Sequence, residues 1–169
     1  LGENQVYVGY VVHLNYKNPY LSPFEEFQRF KTHPDIAELL EGGKRISYGA
    51  RALNKGGLNS LPKMSFPGGL IIGCDAGTLN AAKIKGSHTA LRSGMLAAES
   101  IMESLKQGEV AAGQDLTEYG ERFRKSSLHD ELHKARNFSA GFHKFGFWIG
   151  SSLTFIEHNI FAGHFPMTF

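Results

Sequence analysis

A single cysteine, Cys74, stands among 169 residues. That excludes an intrachain disulfide, and it excludes a four-cysteine iron–sulfur cluster held by this segment. Charge of one sign is lacking as well. Lys and Arg number 18 against 16 Asp and Glu, a formal charge of +2 with no basic run, so nothing points to nucleic acid. No apolar run is long enough to cross a bilayer. In the aromatic tail the longest stretch free of acids and bases, residues 145–156, has 12 residues, and a spanning helix needs about 20. A charged-then-apolar leader is missing too, so the opening Leu-Gly-Glu-Asn-Gln reads as the interior of a longer polypeptide. With 41% hydrophobic and 20% charged residues, the composition is that of a globular protein with room for a sizeable core.

What is present is concentrated in residues 68–99, GGLIIGCDAGTLNAAKIKGSHTALRSGMLAAE. The uncharged run Gly69–Cys74 has the length of a buried strand. It ends in Asp75–Ala76–Gly77, crosses a loop, and opens a helix at Lys85–Gly86–Ser87–His88. Strand, acid and glycine-rich helix start together suit a polar cofactor. The acid accepts hydrogen bonds from sugar-like hydroxyls, and free amides at the helix start face an electron-rich group. The plain alternative is a strand–loop–helix unit in which Asp75 begins a turn.

Elsewhere the pattern is local. Val6–Leu14 and Lys44–Leu53 read as strands, the first buried on at least one face. Ser22–Pro23–Phe24–Glu25 is a helix start with cap, first-turn proline and capping-box acid, carrying Phe24, Phe27 and Phe30. Thr32–His33–Pro34–Asp35 starts a second short helix that Gly42–Gly43 end. A long helix over about 88–107 sets Leu91, Met95, Ala98, Met102 and Leu105 on one apolar stripe, and Gly108 stops it. A more polar helical region, 116–136, is expected to bend near Gly120 or at Ser126–Ser127.

Four strings carry a family resemblance: the 68–99 stretch, YKNPYLSPFEEFQRFKTHP (16–34), LEGGKRISYGARALNKGGLNSLPK (40–63) and FPGGLIIGC (66–74). The first resembles the second flavin-binding motif of the large FAD-dependent oxidoreductases. Together the four are similar to the electron transfer flavoprotein–ubiquinone oxidoreductases, closely over residues 6–136 and more loosely in the tail. The resemblance implies an α/β fold: a partial FAD-binding domain, part of a mixed α+β quinone-binding domain, and an interfacial aromatic helix. It divides the chain into a quinone-binding part at 1–65, the second half of the FAD-binding domain at 66–112, and a helical region at 113–169.

The same resemblance implies roles. Asp75 would hold a ribityl hydroxyl, with Gly73, Ala76 and Gly77 letting the backbone approach the ring. The amides of Gly86, Ser87 and His88 would face the pyrimidine edge, with Lys85 beside them. The family carries Ser-Pro-Gly where this chain has Asp75–Ala76–Gly77, an acid typical of the wider flavoprotein class, and Thr where it has Ser87. Asn54 either reaches the cofactor or is a plain turn residue. Lys83, Lys85 and His88 are not read as acid/base groups; the lysines read as solvated or phosphate-facing charges, and no catalytic side chain is expected. The implied cofactors are FAD and, in the full-length parent only, a 4Fe-4S cluster. The implied partners are electron transfer flavoprotein, ubiquinone and the surface of a bacterial plasma or mitochondrial inner membrane.

The tail, residues 145–169, holds seven Phe or Trp rings. Trp148, Ile149, Leu153, Ile156 and Ile160 recur at helical spacing, flanked by Phe147 and Phe161. The residues leave two readings open: a helix lying on a membrane, or a core helix. Exposure of Phe161, Phe165 and Phe169 separates them. His129 and His133 have metal-pair spacing without a third ligand, and a solvated helix face is the simpler reading. Two rival functions remain: an FAD-dependent reductase or hydroxylase of the geranylgeranyl reductase type, and a non-catalytic membrane-surface module.

Overall fold

The computed structural model describes residues 2–108 and 111–169. Those parts of the 1–65 and 66–112 divisions that fall on residues 1, 109 and 110 lie outside them. The described residues form two compact units, one up to Ala50 and one from Arg51 onward.

The first unit holds two short helices, α1 (Pro23–Lys31) and α2 (Pro34–Leu40). Ser22 caps α1 as its position predicts, its Oγ accepting from the Glu25 N–H at 3.4 Å. Tyr10 packs over Phe27 and Phe30, with ring centroids 6.2 and 5.8 Å apart. The strands expected at Val6–Leu14 and Lys44–Leu53 do not form among the described residues. Their composition favours an extended chain, but a strand exists only when its N–H and C=O groups meet a partner. Among the described residues neither segment joins a strand ladder, and Val6, Val11, Ile46 and Tyr48 are exposed.

The second unit is mainly helical. Its sheet is one hairpin, β1 (Ser65–Phe66) antiparallel to β2 (Gly69–Leu70), with Ser65 opposite Leu70. The buried strand expected over Gly69–Cys74 is therefore cut short. Gly73, at φ +63°, turns the chain into a single helical turn, α3 (Gly73–Ala76), that Gly77 closes at φ +87°. The α/β description gives way to a helical assembly with a small two-stranded sheet.

Next come α4 (Ser87–Gln107), which Gly108 ends as expected, α5 (Glu118–Arg124) and α6 (Ser127–Asn159). The break between α5 and α6 falls at Ser126–Ser127, one of the two places foreseen, and Ser126 caps α6 through His129 N–H. Met64, Ala76, Leu96, Ala97, Tyr119, Phe123, Leu128 and Leu132 make the core.

The packing of α4 inverts the expected stripe. Leu91, Met95, Met102 and Leu105 are exposed, while Thr89, Ser93, Leu96, Ala97, Ser100 and Ser104 are buried. Three of the four buried hydroxyls bond within their own helix or its cap: Thr89 donates to Gly86 O, Ser93 to Ala90 O and Ser100 to Leu96 O, at 2.8–2.9 Å. Small side chains that need no outside partner let neighbouring backbones come close, so they, and not the large apolar ones, face α3 and α5.

Candidate functional site

The glycine-rich motif is built on the contact between α3 and the start of α4. Gly73 donates its N–H to Ser93 Oγ at 2.8 Å, and a Cβ at Gly73 would lie 3.2 Å from the Ala90 methyl. Ala76 is fully buried beside it. Gly77 accepts from the Gly57 N–H at 2.9 Å, and any side chain on Gly56 (φ +49°) would overlap the Gly77 backbone. The loop Asn54–Gly57 is thus seated on the motif. Asn54 acts as a turn residue, its Oδ1 accepting from Gly56 N–H at 2.9 Å.

Asp75 projects from this turn and is exposed, with no hydrogen-bond or ion-pair partner among the described residues. At the helix start, Gly86 caps α4 without a side-chain bond, and the N–H groups of Gly86, Ser87 and His88 meet no described acceptor. The Lys85 N–H is engaged with Asn80 O at 3.2 Å. A carboxylate without a partner and a run of unpaired amides on a 21-residue helix are what a polyol and an electron-rich ring edge require. The residues present fit a flavin.

Lys83 and His88 are not simply solvated: both bind one oxygen of Glu131 on α6. Glu131 Oε1 accepts from Asn80 Nδ2 at 2.7 Å, His88 Nε2 at 2.9 Å and Lys83 Nζ at 3.1 Å. Burial alone would raise this carboxyl. The bonds from His88, Asn80 and Lys83, with the His88 charge, outweigh it and bring the pKa down from 4.5 to about 2.

The sign of the pH dependence follows. A carboxyl depressed in the folded state stabilises fully above its unfolded value, near 4.5, and loses that contribution as pH falls toward 2. A quarter of the side chain is exposed, so about 2 kcal/mol is at stake. Urea unfolding should find Glu131→Gln less stable than the parent by about that much near neutrality. The gap should close between pH 4.5 and 2, and a pH-independent gap would contradict the assignment.

In the tail, α6 breaks at Gly146 (φ +73°), and its second arm folds back until Gly150 lies against Phe142. Phe147, Trp148 and Ile149 sit at the turn, 66%, 81% and 57% exposed. Phe155, Ile156 and Ile160 are exposed along the second arm, with Leu153 half-buried. Phe161 is exposed at 39% yet packs on Phe165, and Phe165 packs on Phe169. The last two are half-buried. The ring trio therefore fits neither tail reading completely: its exposed member is Phe161.

Sequence patterns missed what holds this tail. Arg136 and Glu157, side chains 5% and 4% exposed, form an ion pair at 4.0 Å. Asn137 Nδ2 donates to Glu157 Oε1 at 3.0 Å and to Met167 O at 2.8 Å, and its Oδ1 accepts from Phe169 N–H. Arg136 donates to the carbonyls of His133, Gly163, Phe165 and Met167. Only charge inside an otherwise aromatic stretch hinted at it.

His164 joins His129 and His133 in a row: His129 stacks on His133 with ring centroids 6.3 Å apart, and His164 lies tilted against His133 at 6.0 Å. Burial lowers His133 first, then the Arg136 charge. Among the described residues no three His, Cys, Asp or Glu side chains are placed to hold a metal ion. A cleft of about 450 Å³ lies between Leu58–Ser65 and α5, and of the residues selected from the sequence His129 and Gly120 line it, but none of those expected at the flavin. Among the described residues no helix is long and apolar enough to cross a membrane.

Comparison with known proteins agrees with the strings quoted above. Residues 1–53 match the family model described as "ETF-QO, ubiquinone-binding". The chain is 59% identical over 168 residues to "Electron transfer flavoprotein-ubiquinone oxidoreductase" of Pseudomonas aeruginosa, covering 99% of this chain and 30% of the relative. It is 54% identical over 179 residues to the "Probable electron transfer flavoprotein-ubiquinone oxidoreductase" of Acinetobacter baylyi, covering 97% and 31%. To the mitochondrial protein of Bos taurus it is 52% identical over 171 residues, covering 99% and 28%. The chain spans about three tenths of the length of these relatives. The alternative of a geranylgeranyl reductase type is not favoured.

Proposed function

We propose that this segment belongs to a flavoprotein that accepts electrons from reduced electron transfer flavoprotein and reduces ubiquinone. The segment would supply the second half of the FAD site, part of the quinone-binding domain and part of a membrane-facing surface. FAD, when bound, supplies the redox chemistry: it takes up and releases the electrons passed between the two partners. A 4Fe-4S cluster would be held by the remainder of the polypeptide, since Cys74 is the segment's one cysteine.

The observation that carries the reading is an exposed Asp75 with no partner among the described residues on α3, together with the unpaired amides of Gly86, Ser87 and His88 at the start of α4, which packs on α3. Asp75 would accept hydrogen bonds from the ribityl chain. The Gly73 and Gly77 backbones would let the ring approach, with Ala76 buried beneath them. The amides at 86–88, aided by the Ser87 hydroxyl and with Lys85 adjacent, would stabilise negative charge on the pyrimidine edge. That raises the tendency to accept electrons without any side chain acting as acid, base or nucleophile.

Exposed Phe147, Trp148 and Ile149, continued by Leu153, Ile156, Ile160 and Phe161, support a peripheral seat on a bacterial plasma or mitochondrial inner membrane, where the quinone resides. The complete polypeptide should purify yellow, bleach on mixing with reduced electron transfer flavoprotein, and recover colour when a soluble ubiquinone analogue is added. Colourless protein that FAD does not reconstitute would support the non-catalytic membrane module instead.

A further inference from the structure

The loop between α3 and α4 is strained, closed and tied down at one point. Ile84 holds a left-handed conformation, φ +53°, which a β-branched side chain rarely tolerates. Asn80 and Lys85 exchange both backbone hydrogen bonds, at 3.0 and 3.2 Å, closing the loop around it. Asn80 is 1% exposed, and its Oδ1 accepts from the Lys83 N–H at 3.1 Å. Its Nδ2 goes to Glu131, as do the side chains of Lys83 and His88. One carboxylate oxygen, supplied from 43 to 51 residues away, thus gathers Asn80 at one end of the closed loop, Lys83 within it and the second residue of α4.

We infer that Glu131 is a positioning residue for the flavin site: by binding Asn80, Lys83 and His88 it fixes the direction in which the Gly86–His88 amides point. This rests on the flavin reading proposed above. The amides act through their dipoles, and a dipole's effect on a nearby charge depends on its angle as much as on its distance. Without the tether, the loop keeps, beyond its own closure, only the bonds at its start, Gly57 N–H to Gly77 O and Thr78 to Gly73 O, and the helix start beyond Ile84 is free to reorient. Sequence alone gave no hint of this, because a helix two elements downstream supplies the acceptor.

Two variants of the complete polypeptide separate position from charge. Glu131→Gln and Glu131→Met both lose the negative charge and are of similar length. The glutamine keeps an oxygen for Asn80 and His88, whereas the methionine offers none of comparable strength. FAD dissociation constants and flavin midpoint potentials are measured for both, on protein whose far-ultraviolet circular dichroism matches the parent.

The methionine variant should bind FAD at least tenfold more weakly than the glutamine variant and show a lower flavin potential. Equal affinity, within twofold, and equal potential would overturn the proposal. Should the methionine protein not fold, His88→Phe removes one donor while keeping the backbone amide. It should weaken FAD binding in the same direction, and an unchanged affinity and potential would again overturn it. Asp75→Ala distinguishes the two levels of the argument. If it leaves FAD binding intact, the flavin reading itself fails. If it weakens binding while the glutamine and methionine proteins remain alike, only the role of Glu131 fails.

Discussion

Replacing Arg136 by alanine is expected to release the end of the chain from α6. The guanidinium is 95% buried and is the shared donor for four backbone carbonyls, three of them at positions 163, 165 and 167. Its loss leaves the buried Glu157 carboxylate with Asn137 alone and strands those carbonyls. Removing one member of a buried, hydrogen-bonded pair costs about 3–5 kcal/mol, because the remaining charge keeps its desolvation penalty. Hydrogen exchange in the complete polypeptide should therefore accelerate by roughly a hundredfold or more over peptides covering 147–169, while α4 keeps its protection. Thr168→Val removes one exposed bond to Arg136 and should change protection severalfold at most. Exchange in Arg136→Ala within a factor of three of the parent would mean that the clasp does not hold the tail.

The second large effect concerns the turn at Gly146. Phe147, Trp148 and Ile149 expose more than half of their surface at the apex of the folded-back α6. If that apex enters the headgroup region, each side chain contributes about 1–2 kcal/mol by leaving water. Changing all three to serine should lower binding of the complete polypeptide to vesicles of zwitterionic and anionic phospholipid by roughly a hundredfold. Retained cosedimentation with vesicles would place the apex elsewhere, against the rest of the polypeptide. The exposed Leu91, Met95, Met102 and Leu105 face of α4 is a control: the same substitutions there should leave vesicle binding unchanged.

These two features differ in how far the sequence exposes them. Local signals are written in neighbouring residues and are readable: Ser22 and Pro23 start α1, Gly108 ends α4, and Ser126–Ser127 separates α5 from α6. The strands at 6–14 and 44–53 were misread because β-branched composition reports a preference, whereas a strand needs a partner edge. On α4, periodicity located both faces but not which one is buried. Serines that bond to their own helix carry no polar cost, so a polar-looking face can be the packed one. The Gly146 break had no proline or polar signal to mark it.

In the candidate site, the placement of the motif residues was legible because it is local to one turn and one helix start, whereas their role toward a flavin is the proposal above. Asp75, Gly73, Gly77 and the 86–88 amides lie where the strand–loop–helix pattern puts them, although the strand shrinks and α3 takes its place. Glu131 was not legible, and neither was the Arg136–Asn137–Glu157 clasp. Their partners lie 20 or more residues away, and no spacing rule joins a loop amide to a carboxylate on a distant helix.

The dissociation constant of FAD from the complete polypeptide, compared between the parent and Asp75→Ala, tests the central assignment most directly. An exposed carboxylate with no protein partner costs little stability when removed, so any effect on FAD reports contact and not folding. Loss of its hydrogen bonds to the polyol should weaken FAD at least tenfold, with the thermal midpoint of the apoprotein unchanged. An unaltered constant would show that position 75 does not touch the flavin, and the site would have to be sought elsewhere in the chain.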